Sequence, residues 1–160
     1  MKKTLLLLIT VALSACSSMQ SNDPDSMYFE IPKGSTLSLN KQVTIPASHT
    51  HTVIQGGKEI KTSDKNEYAI NCRLDVNKFG PRSIEPEAFK VTRTEDGTNW
   101  ISYPSILRLY TEVYLNSDKG TDIIKMVCQE YGDQKDRNFT VAEMQQALGD
   151  ILTFSFATEN

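Results

Sequence analysis

The feature that most constrains this chain is a period of two in its apolar residues. From Ile106 to Leu115, Leu107, Leu109, Val113 and Leu115 alternate with Arg108, Tyr110, Glu112 and Tyr114. Successive side chains of a strand point to opposite faces, so the run predicts a strand with one buried and one outward face. The same alternation marks residues 35–45, where Leu37, Leu39, Val43 and Ile45 share a face, with Lys41 as an exception that predicts a bulge or an edge. It marks 67–76 through Ile70, Cys72, Leu74 and Val76, and 122–131 through Ile124, Met126 and Cys128. Shorter strands are expected over 27–31, 50–55, 58–61, 88–94 and 151–156. Gly56-Gly57 and Glu95-Asp96-Gly97-Thr98 read as turns, and 78–86 as a loop rich in Pro and Gly. One helix is expected near the end. Thr140-Val141-Ala142-Glu143 has the form of a capping box, Val141, Met144, Gln145 and Leu148 fall at helical spacing, and Gly149 suits the C′ position. The expected fold is mainly β: a single antiparallel sandwich or barrel-like domain with one short helix near the C-terminus.

The chain has 160 residues, of which 23% are charged and 39% hydrophobic, with a formal net charge of −3. That is the length of one ordinary domain. The negative balance argues against nucleic acid as a partner. The composition argues against wholesale disorder. Only one long apolar run occurs, at the N-terminus, so a multi-span membrane protein is not expected.

That run begins Met1-Lys2-Lys3 and continues almost unbroken from Thr4 to Leu13. It is about half the roughly 20 residues that cross a bilayer as a helix, and it reads as a signal peptide over residues 1–15. It ends Leu13-Ser14-Ala15-Cys16: an apolar residue, two small residues, then cysteine. This resembles the lipobox of bacterial lipoproteins. The resemblance implies that Cys16 is lipidated through its thiol and becomes the first mature residue. Ser17, in place of an aspartate at the next position, implies the outer membrane. Removing residues 1–15 leaves 145 residues and, with Lys2 and Lys3 gone, moves the formal charge from −3 to −5. Such a domain gains nothing from an anionic surface, so the lipid must hold it. Residues 16–26 carry the lipid site and a polar stretch, Ser17 to Ser26, that reads as a flexible tether. Residues 27–160 read as one periplasm-facing domain. Together with Ile84-Glu85-Pro86-Glu87-Ala88-Phe89-Lys90-Val91, Cys72 and Cys128, the chain looks like the small outer-membrane lipoproteins of Gram-negative bacteria. That resemblance implies a membrane attachment; the anchor, the tether and the lack of a catalytic constellation add the expectation of a protein partner in the envelope. The resemblance carries no activity and no catalytic residues.

With Cys16 assigned to lipid, Cys72 and Cys128 remain, each on the inward face of an expected strand. The implied compartment is oxidising, which favours a Cys72–Cys128 disulfide over two separate buried thiols. A redox-active pair is not favoured, because no Cys-x-x-Cys spacing is present.

The remaining candidate chemistry is sparse. His49 and His51 stand at i and i+2, so both imidazoles of a strand could reach one metal. A stable site needs further ligands; Glu59 across the Gly56-Gly57 turn is the nearest, and two solvent-facing histidines are the simpler expectation. No cofactor fingerprint or Gly-x-Ser-x-Gly elbow occurs. The pairs Glu85 with Glu87 and Asp133 with Asp136 fall in expected loops and read as solvated surface. Arg108, Tyr110, Glu112 and Tyr114 share the polar face of the clearest strand, with Trp100 and Tyr103 nearby. Aromatic and Arg side chains on an outward sheet face are the material of protein interfaces. The leading expectation is a non-enzymatic binding or scaffold lipoprotein for a periplasmic partner. The alternative is a small-ligand or metal-binding β-barrel with His49 and His51 at its mouth. A third is an envelope enzyme with a carboxylate pair.

Overall fold

The computed structural model describes residues 21–158. The expected signal peptide, Cys16 and the first part of the tether lie outside the described residues. Ten strands, β1 Thr36–Leu39, β2 Val43–Ile45, β3 His51–Gln55, β4 Lys58–Ile60, β5 Asn71–Val76, β6 Arg82–Ile84, β7 Glu87–Ser102, β8 Ile106–Ser117, β9 Ile123–Gly132 and β10 Leu152–Ser155, are joined by one α-helix, α1 Val141–Leu148. Eight of these strands form one antiparallel sheet in the order β10-β1-β7-β8-β9-β5-β3-β4, curled into a half-barrel. β2 and β6 pair separately. The fold is mainly β, as the alternation predicts.

The concave side is the core. Leu37, Ile54, Leu74, Phe89, Val113 and Met126 are almost fully buried there. α1 has eight residues, too short to be stable alone, so packing must hold it. It buries Val141, Met144, Ala147 and Leu148 against the core. Its start is the expected capping box: Thr140 Oγ1 accepts from Glu143 N–H, and the Glu143 carboxylate accepts from Thr140 N–H at 2.7 Å. Gln145, expected on the apolar stripe, instead joins α1 to β10. Its amide donates to Gly149 and Leu152 carbonyls and accepts from Phe154 N–H. At the other side Gly57 N–H donates to Ala147 O at 2.9 Å, tying the β3–β4 turn to the helix. The helix therefore spans the gap between the two edge regions of the curled sheet.

Several boundaries differ from the alternation, each for a local reason. The expected strand 35–45 is two strands in two sheets. The Asn40 amide donates to Asp150 O and Thr153 Oγ1, and Lys41 pairs with Asp150 at 2.7 Å. These contacts hold the chain off the sheet where Lys41 interrupts the apolar face. Residues 27–31 form no strand; Phe29 N–H closes a turn onto Ser26 O, and Ile31 drops into the core. The strand expected from residue 67 starts at Asn71, because Asn66 to Ile70 loop back toward Gln55, whose amide donates to the Asn66 and Ala69 carbonyls. The loop expected over 78–86 contains β6. Glu95-Asp96-Gly97-Thr98 is no turn but the middle of β7, which reverses only after Ser102. Within the stretch read as tether, Pro24 O accepts from Ala142 N–H at 3.1 Å, and Ser21 N–H donates to Tyr28 O.

Candidate functional site

The outward face of β7, β8, β9 and β5 carries the densest polar arrangement. Register decides its membership. Tyr114 pairs with Arg93 and Lys125, Glu112 with Glu95 and Val127, Tyr110 with Gly97 and Gln129, and Arg108 with Asn99 and Tyr131. On the next strand Arg73 pairs with Val127 and Asp75 with Lys125. The four residues singled out on β8 therefore form the spine of a four-strand surface, and all four are half-buried.

Neighbouring strands hold each of them. Glu112 accepts from Lys125 Nζ and from Tyr114 Oη, both at 2.7 Å. Burial opposes ionisation of Glu112, but these bonds and the nearby Lys125 and Arg108 charges outweigh it and hold its pKa low. The Arg93 guanidinium lies 3.4 Å over the Tyr114 ring and also pairs with Glu95. Arg108 lies 4.4 Å from the Tyr110 centroid and donates to Gln129 Oε1 at 2.7 Å. Arg73 and Asp75 make a bidentate pair at 2.6 and 3.0 Å. Cation–π contacts and charge-assisted bonds of this kind fix side chains in one arrangement more than they add stability at a surface.

Gly97 is a site residue the sequence pattern missed. A Cβ at this position would collide with Cζ and Oη of Tyr110. The missing side chain lets the Tyr110 ring lie across the backbone of β7, an aromatic covering a strand glycine. The same glycine that reads as a turn signal is thus a packing position. Its only signal in the sequence is an isolated Gly inside a long polar run.

His49 and His51 stay close, with ring centroids 5.5 Å apart and edge to face. His49 Nδ1 lies 2.8 Å from Ala47 O. Burial lowers the pKa of His51, and Arg73 lowers it further against the opposing pull of Asp75. Glu59 does not join them. It pairs with Ile54, so it lies on the opposite face of the sheet, where it accepts from Thr44 N–H and Thr52 Oγ1. Among the described residues, no group of three or more His, Cys, Asp or Glu side chains is arranged to hold a metal ion.

The carboxylate pairs do not converge. Glu87 is buried and anchors the turn after β8, accepting from Ser117 Oγ, Thr121 Oγ1 and Lys119 N–H, while Glu85 is exposed beside Gln42. Asp136 accepts from Asp133 N–H within its own loop. No family model matches this chain, and no curated protein or solved structure matches it. Two further acids titrate in opposite directions. Glu130 is pushed up by burial and by Glu143 and Asp136. Glu143 is pulled down to about 2, chiefly by Arg137. Both Glu143 oxygens are engaged, one by Arg137 Nη2 and the other by Arg137 Nη1 and Thr140 N–H.

Cys72 and Cys128 are direct cross-strand partners on β5 and β9 and form a disulfide. Both are buried, in the core between Ile54 and Thr111 on the flanking strands. Among the described residues, no helix is long and apolar enough to cross a membrane.

Proposed function

We propose that this chain is a lipid-anchored lipoprotein of the outer membrane, facing the periplasm, and that it acts as a non-enzymatic binding module for an envelope protein. The anchor would be Cys16, as the Leu13-Ser14-Ala15-Cys16 resemblance implies. The observation that carries the binding reading is the outward surface around Arg108, Tyr110, Glu112 and Tyr114. Its three cation–π contacts and its Tyr114–Glu112–Lys125 bonds all cross between strands or link residues two apart on β8. A surface whose aromatic and charged groups are already held in place loses little side-chain freedom on binding. Arg and Tyr are also the residue types that dominate interface hot spots. The disulfide agrees with an oxidising compartment.

Two measurements test this. Intact mass spectrometry of protein purified from membranes should give residues 16–160 plus acyl chains, and Cys16→Ser should leave the protein unprocessed or soluble. Unchanged mass and fractionation in that variant would refute the anchor. A photo-crosslinker placed at Tyr110 in cells should give a discrete protein adduct that the same probe at Lys119, beyond the far end of the sheet, does not give. Equal adducts from both positions would remove the surface as a specific interface.

A further inference from the structure

The β7–β8 hairpin extends past β1 on its β7 side, while β9 accompanies β8 as far as Leu107. β1 pairs with β7 only from Glu87 to Lys90, and the last bond on that side joins Gly34 N–H to Val91 O. From there β7 continues to Ser102 with β8 alone beside it. The tip differs in composition from the rest of the chain. Thr98 to Leu107, Thr-Asn-Trp-Ile-Ser-Tyr-Pro-Ser-Ile-Leu, has no charged residue in a chain that is 23% charged. Its large side chains face water: Trp100 is 44% exposed, Ile101 47% and Tyr103 79%. Trp100 and Tyr103 meet edge to face at 5.1 Å, and Tyr68, 65% exposed, stands against Tyr131 at the same end of the sheet.

The anchor side of the chain leads toward this end. Ser21 is bonded to Tyr28, and Met27 lines a small hollow with Thr94 and Asp96 of β7. From Asp96 to Ser102 the strand rises about 20 Å at 3.3 Å per residue. The segment from Cys16 to Ser21 reaches at most about 18 Å. A nearly extended segment thus brings Cys16 close to the level of the tip, so a bilayer that holds Cys16 can also meet Trp100 and Tyr103. We infer that the Trp100–Tyr103 tip is a second membrane contact, seated in the headgroup region of the bilayer. This rests on the lipid-anchor reading for its geometry. Trp and Tyr favour that interface, since their rings are apolar and their N–H or O–H stays hydrated. The tip segment itself carries no ion to desolvate, while the charged loop beside it, bonded through Gln134 to Pro104 O, can stay in the hydrated headgroup layer. Two contacts would fix the orientation of the domain and turn the Arg108–Tyr114 surface to the side, upright on the membrane and open to a partner.

Trp100 is the one tryptophan of the chain, so it reports on its own surroundings. The mature protein, purified from membranes, is reconstituted in phosphatidylethanolamine–phosphatidylglycerol vesicles with lipids brominated near the headgroup. The control is the Trp100→Phe/Phe79→Trp variant, which moves the reporter to the opposite end of the sheet. Bromolipid quenching several-fold stronger for Trp100 than for the control, with a matching loss of iodide quenching, is the expected result. An acylated mass with equal quenching of the two proteins overturns the tip contact and leaves the anchor standing. An unacylated mass with Trp100 quenched on addition of vesicles refutes the anchor and supports the tip contact. Protection from iodide in native membranes without bromolipid quenching in vesicles would mean that a protein covers the tip, and overturns the proposal.

Discussion

Gly97 is the residue on which the outward surface turns. An alanine there must displace the Tyr110 ring, and overpacking of this kind costs about 1–3 kcal/mol. Gly97→Ala should lower the denaturation midpoint, and Tyr110→Ala should cost less in that background than in the native protein. Additive losses in the double-variant cycle would show that the ring does not depend on the glycine. Glu143 gives a prediction in pH. Its folded pKa is depressed from 4.5 to about 2, so the folded state binds fewer protons than the unfolded state between those values. The stability it contributes is complete above about 4.5 and is lost as pH falls toward 2. Glu143→Gln should flatten the acid limb of stability against pH over that window while leaving neutral-pH folding two-state. Glu130 shifts upward and therefore has the opposite sign, losing its contribution as pH rises through its folded value.

The helix and the disulfide close the molecule at the scale of elements. α1 meets the β3–β4 turn through Gly149 and Gly57, and a Cβ on Gly149 would stand 2.6 Å from Gly57 Cα. Gly149 also has φ +60°, where L side chains are strained. Gly120 has φ +81° but open space around it. Gly149→Ala should therefore destabilise by about 1–3 kcal/mol more than Gly120→Ala, because the contact with Gly57 adds to the strain of φ +60° and ψ −132°. Equal midpoints in chemical denaturation would show that the helix–turn contact carries no stability. The Cys72–Cys128 bridge closes a loop with a sequence separation of 56. Constraint of the unfolded chain over such a loop gives about 4 kcal/mol in the entropic account. Cys72→Ser and Cys128→Ser should lower the melting temperature of the oxidised protein by similar amounts. Equal melting of the native protein with and without reductant would count against the bridge in solution.

At the scale of the whole molecule the parts divide by surface. The concave side is a filled core capped by α1, with Leu37, Phe89 and Leu148 fully buried. Leu148→Ala should cost about 2–5 kcal/mol, since the helix has no stability of its own to fall back on. The convex side holds the polar aromatic surface, one end carries the uncharged hairpin tip, and the other carries the turns around Pro46, Gly80 and Lys119. Core, outward surface and tip meet on the β7–β8 hairpin. A binding surface on β8 and a membrane contact at its tip would therefore be mechanically linked through one continuous element.

Period-two alternation by itself determined the β class, the faces of β5 and β8, the face of β9 from Met126 onward, and the inward placement of Cys72 and Cys128; it misplaced Ile124, which a bulge against Asp75 and Val76 turns outward while Ile123 takes the buried place. A side chain's face depends only on its parity within a strand. The capping residues Thr140 and Glu143 with Gly149 likewise fixed α1, because those signals act within a few residues. Parity also fixed the common face of Arg108, Tyr110, Glu112 and Tyr114. What it could not supply was their partners, because Arg93, Gln129 and Lys125 arrive through register with other strands. The split of 35–45 depended on Asp150, more than a hundred residues away, and the exclusion of Glu59 from the histidines depended on its pairing with Ile54. Gly97 was misread for the same reason. A glycine in isolation favours a turn, and only the Tyr110 ring on the neighbouring strand makes it a packing position.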